Sequence, residues 1–332
     1  MTASTQPLPT APAEVIMPEA HPLKIVTRRF LRHRLATVSV AIIAAIFVIS
    51  LFAARIAPFR AEELTVGKYF LPFGSLDSQT GRTYYLGTDN IGRDYFSRLV
   101  YAGRISLSVA LLTTFMATGI GILVGAYSGF YGGWVDSLLM RTVEFLATIP
   151  ALPLLLIISA MLLRNENAIP IPEGVLYAMS KITLLNPSEA RQAVLIILVL
   201  AGLGWLNSAR LMRGMMLSLR EQTFIEAARS LGATDVAIIF RHMIPNAMAP
   251  IIVDASLNLS GFIVAEAALS FLGFGIQDPI PTWGNMLAAT QQFMFDRPWL
   301  PLVPGLPIVL CSLAFNYVGD GLRDALDPRL KM

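Results

Sequence analysis

Residues 104–127 read RISLSVALLTTFMATGIGILVGAY, and after Arg104 this stretch has no charged side chain. A helix needs about 20 predominantly apolar residues to cross the hydrocarbon core of a bilayer. The stretch is long enough and apolar enough to do so. It therefore predicts a transmembrane helix.

Similar runs recur along the chain, and together with residues 104–127 they predict an all-α polytopic bundle of about six transmembrane spans. The third run contains Pro150 and Pro153, and a kink there is tolerable because neighbouring helices can satisfy the freed carbonyl groups. The other five runs lie at about 36–56, 138–163, 192–212, 249–275 and 300–319.

The composition also favours a membrane protein. Apolar residues make up 55% of the 332 residues and charged residues 14%, whereas soluble domains carry about 25% charged residues. The net charge of +3 and the lack of any RNA- or DNA-reading motif argue against nucleic acid binding. One cysteine and three scattered histidines offer no metal-ligand cluster, so we expect no metal site.

The orientation follows from the distribution of basic residues. A basic cluster between Lys24 and Arg34 precedes the first apolar run, which is longer than the apolar region of a signal peptide and is read as an uncleaved span. Basic residues next to spans stay in the cytoplasm, which predicts that both termini are cytoplasmic. The predicted segments are a disordered tail 1–22, a basic segment and first span 23–56, an extracytoplasmic loop 57–103, a five-span core 104–320 containing a cytoplasmic coupling loop 213–248, and a cytoplasmic tail 321–332.

The segment between the fourth and fifth spans predicts a helical elbow, residues 223–245. Thr223 and Glu226 have the spacing of a capping box at a helix start. Gly232 stands where a left-handed C-terminal cap is expected. A second short helix is predicted to begin near Thr234 and to end before Pro245. The elbow is either a docking element for another protein or a plain connector on the membrane surface.

The pattern Glu226-Ala227-Ala228, then Gly232, then Pro245 resembles the conserved cytoplasmic loop of permeases in binding-protein-dependent ABC importers. His242 and Ile244 stand where the family has Ile and Leu. Further stretches resemble the dipeptide/oligopeptide/nickel branch of that family, from about residue 22 to the C-terminus. These stretches are Leu86–Arg98, Gly129–Asp136, Glu266–Gly273, Thr282–Met286 and Gly319–Arg329.

The resemblance implies a permease subunit that imports di- or oligopeptides across the bacterial inner membrane. It also implies a second homologous permease, two ATPase subunits that carry ATP and Mg, and an extracytoplasmic binding protein as partners. No cofactor is expected on this chain. The residues that the resemblance assigns to ATPase coupling are Thr223, Glu226, Ala227, Ala228, Leu231, Gly232, Ala233 and Pro245.

No motif predicts catalysis by the chain itself. The phosphate-binding sequence G-x-x-x-x-G-K-[ST] is absent, and so are H-E-x-x-H and G-x-S-x-G. We therefore expect ATP hydrolysis on separate subunits. Two other functions remain open: import of nickel or another small solute by the same family, and an ion-coupled secondary transporter, which often shows internal repeats that this sequence lacks.

Charged residues outside the elbow give weaker indications. Glu266 and Glu144 lie in predicted spans, where an ionisable group either lines a pathway or ties helices together. Asp89, Arg93 and Asp94 could contact an extracytoplasmic partner, or they could form a turn and helix start that caps the channel mouth. Gly119, Gly121 and Gly125 have spacing that permits close helix contact, either within the chain or between subunits.

Overall fold

The computed structural model describes residues 22–326, so nearly all of the predicted N-terminal tail and half of the predicted C-terminal tail lie outside the described residues. The described chain is almost entirely helical, with one short antiparallel hairpin that pairs Ser75 with Tyr84. The elements are α1 (Pro22–Arg32), α2 (Arg34–Leu51), α3 (Ala53–Ile56), β1 (Ser75–Leu76), β2 (Thr83–Tyr84), α4 (Tyr95–Tyr131), α5 (Gly133–Thr148), α6 (Ala151–Arg164), α7 (Glu173–Thr183), α8 (Pro187–Gly204), α9 (Leu206–Arg220), α10 (Thr223–Ser230), α11 (Asp235–Ala237), a π-helical turn (Ile238–Met243), α12 (Ile244–Phe271), α13 (Trp283–Ala289), a 3₁₀ turn (Gln291–Phe293) and α14 (Trp299–Leu326).

The described helices agree with the predicted number of spans. Five of them are long and apolar enough to cross a membrane, and α5 with α6 makes a sixth if the bent pair is one span. The pair bends by 88° at the Ile149–Pro150 step. Ile149 is extended there because a residue that precedes proline is disfavoured in the α-helical region. The predicted kink is therefore a sharp break.

Several helix ends differ from the predicted span boundaries. Helix α4 begins at Tyr95 rather than 104, because the Asp94 carboxylate accepts a hydrogen bond from the Ser97 amide at 2.7 Å and caps the helix inside the predicted 57–103 loop. Helix α14 continues through 320 to Leu326, so the start of the predicted tail is helical. The predicted fourth span is two helices, α8 and α9, divided at Trp205. Hydropathy marks where a helix enters lipid, whereas capping decides where it ends.

Helix α4 is the central element. Its 37 residues span about 55 Å, which is longer than the hydrocarbon core of about 30 Å. The loop 57–94 and the segment 276–293 pack together around its first turns, and we call these two segments the cap. The elbow packs against its last turns. The cap and the elbow therefore lie at opposite ends of the molecule.

A glycine face on α4 lets α9 approach closely. A Cβ atom added at Gly121, Gly125 or Gly129 would lie between 2.3 and 2.6 Å from an atom of α9. Gly119 faces open space instead. Small residues at such spacing allow helix backbones to come together in a membrane. Of the predicted glycines, Gly121 and Gly125 therefore serve packing within the chain, and Gly119 does not.

Large apolar side chains cover the outside of the bundle. Phe115 on α4, Ile157 on α6 and Leu302 on α14 are each more than half exposed. Soluble proteins rarely expose apolar surface on this scale. The outer surface therefore fits a lipid environment.

We predict that Gly125→Ala lowers the stability of the bundle by about 1–3 kcal/mol, because the new methyl group meets the Ala209 carbonyl and forces α4 and α9 apart. Gly119→Ala is the matched control. It should be neutral or stabilising by up to about 1 kcal/mol, since alanine favours helix and nothing opposes it there. Thermal unfolding of purified protein in lipid nanodiscs measures both variants. A Gly125→Ala protein as stable as the Gly119→Ala protein would contradict the packing argument.

Candidate functional site

One apolar residue anchors the elbow to the bundle. The Ile225 side chain is fully buried on the inner face of α10. It packs in a cluster with residues from the ends of α4 and α9 and from the start of the fifth span. The Arg229 guanidinium lies 5.5 Å from the centre of the Phe130 ring on α4, which adds a cation–π contact. The elbow is thus fastened to three long helices at once.

The turn after α10 has the predicted glycine cap. Gly232 is left-handed, with φ of +80°, a conformation that costs glycine little. The Gly232 amide donates to the Arg229 carbonyl at 2.9 Å, and the Ala233 amide donates to the Ala228 carbonyl at 3.1 Å. This pair of bonds is a Schellman motif. Thr234 then caps the next helix by accepting from the Ala237 amide at 3.3 Å.

Two details of the predicted elbow were wrong. The capping box does not form, because Thr223 is already the first helical residue and Gln222 occupies the cap position without a side-chain bond. The second helix does not end before Pro245. It passes through a π-helical turn directly into α12, with Pro245 in the first turn of that helix. Proline needs no amide partner at a helix start, and the wide turn before it makes room for its ring.

The outer face of the elbow carries exposed apolar side chains. Leu231 is 88% exposed, and Phe224 is 41% exposed. Ala227 and Glu226 are exposed beside them, and the Glu226 carboxylate makes no hydrogen bond or ion pair with any described residue. Ala228 does not belong to this outer face, because it is partly buried against the anchoring cluster. Ala233 is also partly buried there, and Val236 and Phe240 extend the exposed apolar surface along the second helix.

A bidentate ion pair holds the helices at the elbow end together. The Arg213 guanidinium on α9 donates to both carboxylate oxygens of Asp136 on α5, at 2.5 and 2.6 Å. The Ser128 hydroxyl on α4 donates to the same carboxylate at 2.5 Å. Paired hydrogen bonds of this kind fix orientation as well as adding energy. Helices α4, α5 and α9 are therefore locked together where the elbow attaches.

The predicted contact residues of the cap are occupied within the chain. Asp89, Arg93 and Asp94 are all buried. The Asp89 carboxylate accepts from the Arg93 Nε at 2.6 Å and from backbone amides, and Asp94 caps α4. Gly87 has a left-handed φ and lies against the Leu71 carbonyl, where no side chain would fit. The geometry favours the structural alternative for this stretch, and its contact with a partner stays a prediction.

A second arginine ties the two segments of the cap. The Arg98 side chain is only 2% exposed, and its NH2 group donates to the Asp278 carboxylate at 2.7 Å. Arg93 donates to the same oxygen at 3.1 Å. Partial burial opposes ionisation of Asp278, but Arg98 and Arg93 outweigh it and lower the pKa of this carboxyl. The half-exposed Asp278 thus neutralises buried positive charge.

Glu266 ties helices together, which was one of its two predicted roles. Its side chain is fully buried, and its carboxyl oxygens accept from Ser106 on α4 at 3.0 Å and from Ser270 on α12 at 2.8 Å. The Ser106 hydroxyl also accepts from the Trp283 amide, which brings α13 into the same network. Glu144 is different, since it is exposed on α5 and joins no described network. The contacts of Glu266 favour its helix-tying role, and a pathway role for Glu266 or Glu144 stays a prediction.

The Thr282–Met286 stretch builds the start of α13. Thr282 and Asn285 form a reciprocal capping box with bonds of 3.1 and 3.0 Å. The Asn285 amide also donates to the carbonyl groups of Ile276 and Ile280. The buried Trp283 indole donates to the Leu99 carbonyl at 3.3 Å. This stretch therefore fixes the cap against α4.

Sequence reasoning missed the contacts that hold the site together. Arg98 and Asp278 are 180 residues apart, and Arg213 and Asp136 are 77 apart, so no local pattern joins them. Ile225 was missed for another reason. Its burial depends on the ends of α4 and α9, although its spacing of three from Ala228 would have allowed both to be placed on the inward side.

Comparison with known proteins identifies the family. Residues 121–332 match the family model of the binding-protein-dependent transport system inner membrane component. Residues 21–72 match the N-terminal TM domain of oligopeptide transport permease C. The fold defines a polytopic α-helical permease subunit. The chain belongs to the family of inner membrane components of binding-protein-dependent transport systems.

Three relatives illustrate the range of the family. The dipeptide transport system permease protein of Alkalihalophilus pseudofirmus is 35% identical over 90% of this chain and 88% of its own. The oligopeptide transport system permease protein of Mycobacterium tuberculosis is 36% identical over 92% of this chain and 94% of its own. The glutathione transport system permease protein of Escherichia coli is 35% identical over 92% of this chain and 89% of its own.

We predict that Asp278→Asn destabilises the protein by about 1–3 kcal/mol at neutral pH, because it leaves the buried Arg98 charge poorly compensated. The cost stays below that of a fully buried pair because Asp278 is half-exposed. Asp296→Asn, an exposed change in the neighbouring segment, is the matched control and should have no effect.

The effect of Asp278→Asn should depend on pH with a defined sign. The folded protein lowers the pKa of Asp278, so the stabilisation is complete above the ordinary aspartate pKa of about 3.9 and is lost as the pH falls through the lower folded value. Thermal melts at pH 7 and at successively lower pH measure the gap between the wild type and the variant. A gap that widens on acidification would contradict this assignment.

Proposed function

We propose that this chain is one half of the membrane channel of an ATP-driven importer that moves di- or oligopeptides across the bacterial inner membrane. A second homologous permease would complete the channel, two separate ATPase subunits would bind ATP and Mg, and an extracytoplasmic binding protein would deliver the solute. The names of the dipeptide, oligopeptide and glutathione relatives support a peptide-like solute.

The observation that carries the proposal is the two-sided elbow. Its inner face is anchored through Ile225 to the ends of three long helices, while Leu231 and Phe224 stay exposed on its outer face. Exposed apolar side chains on a rigid helical element favour burial against another protein. An ATPase subunit docked there would bind a helical element that is continuous with the transmembrane bundle.

The mechanism follows from these attachments. Closure of the ATPase subunits on ATP would displace the elbow as a rigid body, since the Schellman turn and the Ile225 cluster hold its two helices together. The π-helical turn makes the second elbow helix continuous with α12, so the displacement would tilt that span directly. The Asp136–Arg213 pair would carry the same motion into α5 and α9.

The proposal also assigns the sides of the membrane. The elbow end, with both chain termini, would face the cytoplasm, and the cap would face outward. The alternative of nickel or another small solute fits the same chain, because the binding protein can set the choice of solute. The ion-coupled alternative is disfavoured, since the family is one of binding-protein-dependent systems.

We predict that Glu226→Arg or Leu231→Asp abolishes uptake while the chain still inserts and pairs with its partner permease, because both side chains are exposed on the outer face of the elbow. Reconstituted complexes should retain basal ATP hydrolysis and lose its stimulation by the loaded binding protein. Leu231→Met keeps the apolar surface and is the matched control, with near wild-type uptake. Normal uptake by the Leu231→Asp complex would contradict docking at the elbow.

The sidedness has its own test. Cys311 is buried and is the single cysteine of the chain, so Leu231→Cys in a Cys311→Ala background gives one exposed thiol. In intact cells a membrane-impermeant thiol reagent should leave it unlabelled, and inverted vesicles lacking the ATPase subunits should label. Labelling in intact cells would place the elbow on the outer side of the membrane and would contradict the proposal.

A further inference from the structure

A largely apolar cleft with three polar side chains lies where two helix breaks face the fifth span. It is bordered by the Ile149 break between α5 and α6, by the Gly204 end of α8, and by α12. Its volume is about 400 Å³, within the range of about 300–1,000 Å³ that small-molecule sites usually have. Its polar groups come from Asn207, Arg210 and Asn258.

Arg210 is the one cation among the residues that border this cleft. Its side chain is exposed, and it makes no hydrogen bond or ion pair with any residue in the part of the chain that the structure describes. It lies ten residues before the end of α9 at Arg220, about 15 Å along the helix axis. Asn258 and Phe262, which border the same cleft, lie in the fifth span, and a charge beside them is costly unless it faces water, a cavity or an anion.

Asp254, a carboxylate on α12 that bonds to the cleft residue Asn258, is already engaged. Asp254 accepts from the Ser208 hydroxyl at 2.5 Å and from the Asn258 amide at 2.9 Å. These two bonds hold Asp254 and leave the Asn258 carbonyl oxygen free as an acceptor. Asp254 is therefore engaged elsewhere, and Arg210 has no ion-pair partner among the residues that the structure describes.

Backbone breaks border the cleft on two sides. The α5–α6 step leaves Ile149 extended, and α8 ends at Gly204. Irregular backbone at membrane depth is tolerated where it lines a water-filled cavity. The apolar Phe262 and Leu203 complete the wall, which suits a solute with both polar and apolar parts.

We infer that Arg210, with Asn207 and Asn258, forms a binding station on the translocation path for the free carboxylate of the transported solute. A guanidinium presents paired donors that match a carboxylate, and the two amides supply hydrogen bonds to the adjacent peptide group. The solute class is a small molecule with a free carboxylate, such as a short peptide. This inference rests on the proposed import function and adds the residue that holds the solute within the membrane.

The first test compares a short peptide with its C-terminal amide, both chosen because they bind the cognate binding protein. Proteoliposomes carry the complete complex, with wild type, Arg210→Gln or Arg210→Lys in this subunit. Arg210→Gln should lower peptide uptake about tenfold or more and leave amide uptake within about twofold, since only a carboxylate gains from the guanidinium. Arg210→Lys should retain a large part of the uptake because it keeps the charge.

Arg164→Gln is the matched control. It removes the same charge from an exposed arginine at the far end of α6, which does not border the cleft. Its uptake of both solutes should equal that of the wild type. Basal ATP hydrolysis and subunit assembly of this control should also equal those of the wild type.

The possible outcomes separate the inference from the proposed function. If wild-type complexes take up neither solute, both the proposed function and the inference are overturned. If wild type imports peptide and Arg210→Gln does so equally well, the inference alone is overturned. An equal loss for peptide and amide would also overturn it, because the effect would then be structural rather than recognition of a carboxylate.

A second test distinguishes the pathway from a lipid headgroup as the partner of Arg210. Arg210→Cys in a Cys311→Ala background should react with a water-soluble thiol reagent, and excess peptide during turnover should slow that reaction. A thiol that a water-soluble reagent does not reach, while a lipid-soluble maleimide does, would place Arg210 against lipid and overturn the inference.

Discussion

The close packing of α4 against α9 is the contact on which the rest of the structure depends. Three glycines on α4 remove the side chains that would hold the two backbones apart. In lipid there is little hydrophobic gain from joining helices, so close van der Waals packing has to supply the association. Because α4 runs from the cap to the elbow, this one contact sets the position of both ends of the molecule.

The two ends of α4 are stabilised by different physics. At the cap, buried arginines meet carboxylates and helix caps, and Arg98 with Asp278 joins segments that are distant in sequence. At the elbow, an apolar cluster around Ile225 holds the elbow against the long helices, and the Asp136–Arg213 ion pair adds to this attachment. A polar network fixes geometry because its bonds are directional, whereas apolar packing tolerates small displacements. In the proposed mechanism the rigid cap stays in place while the elbow transmits movement.

Much of the architecture was predictable from local patterns. The apolar runs gave the spans, the Gly232 turn gave the bend of the elbow, and Pro150 marked the break in the third span. Other features were not predictable. The π-helical turn that joins the elbow to α12 has no sequence signature. Thr223 was expected to be the cap residue of α10, but it is the first helical residue, and Gln222 occupies the cap position. Among the candidate residues, Glu266 could be narrowed to two roles, and only its contacts with Ser106 and Ser270 separated them.

The sequence by itself determined that this is a helical membrane protein with an elbow between two spans, and it indicated the family. Those properties depend on composition and short-range spacing, which a chain carries whatever its tertiary contacts are. Only the tertiary structure decided which glycines pack, which carboxylates are occupied, and that Arg210 is left without a partner in the described chain. These facts depend on residues that are far apart in sequence, and helix packing alone brings them together.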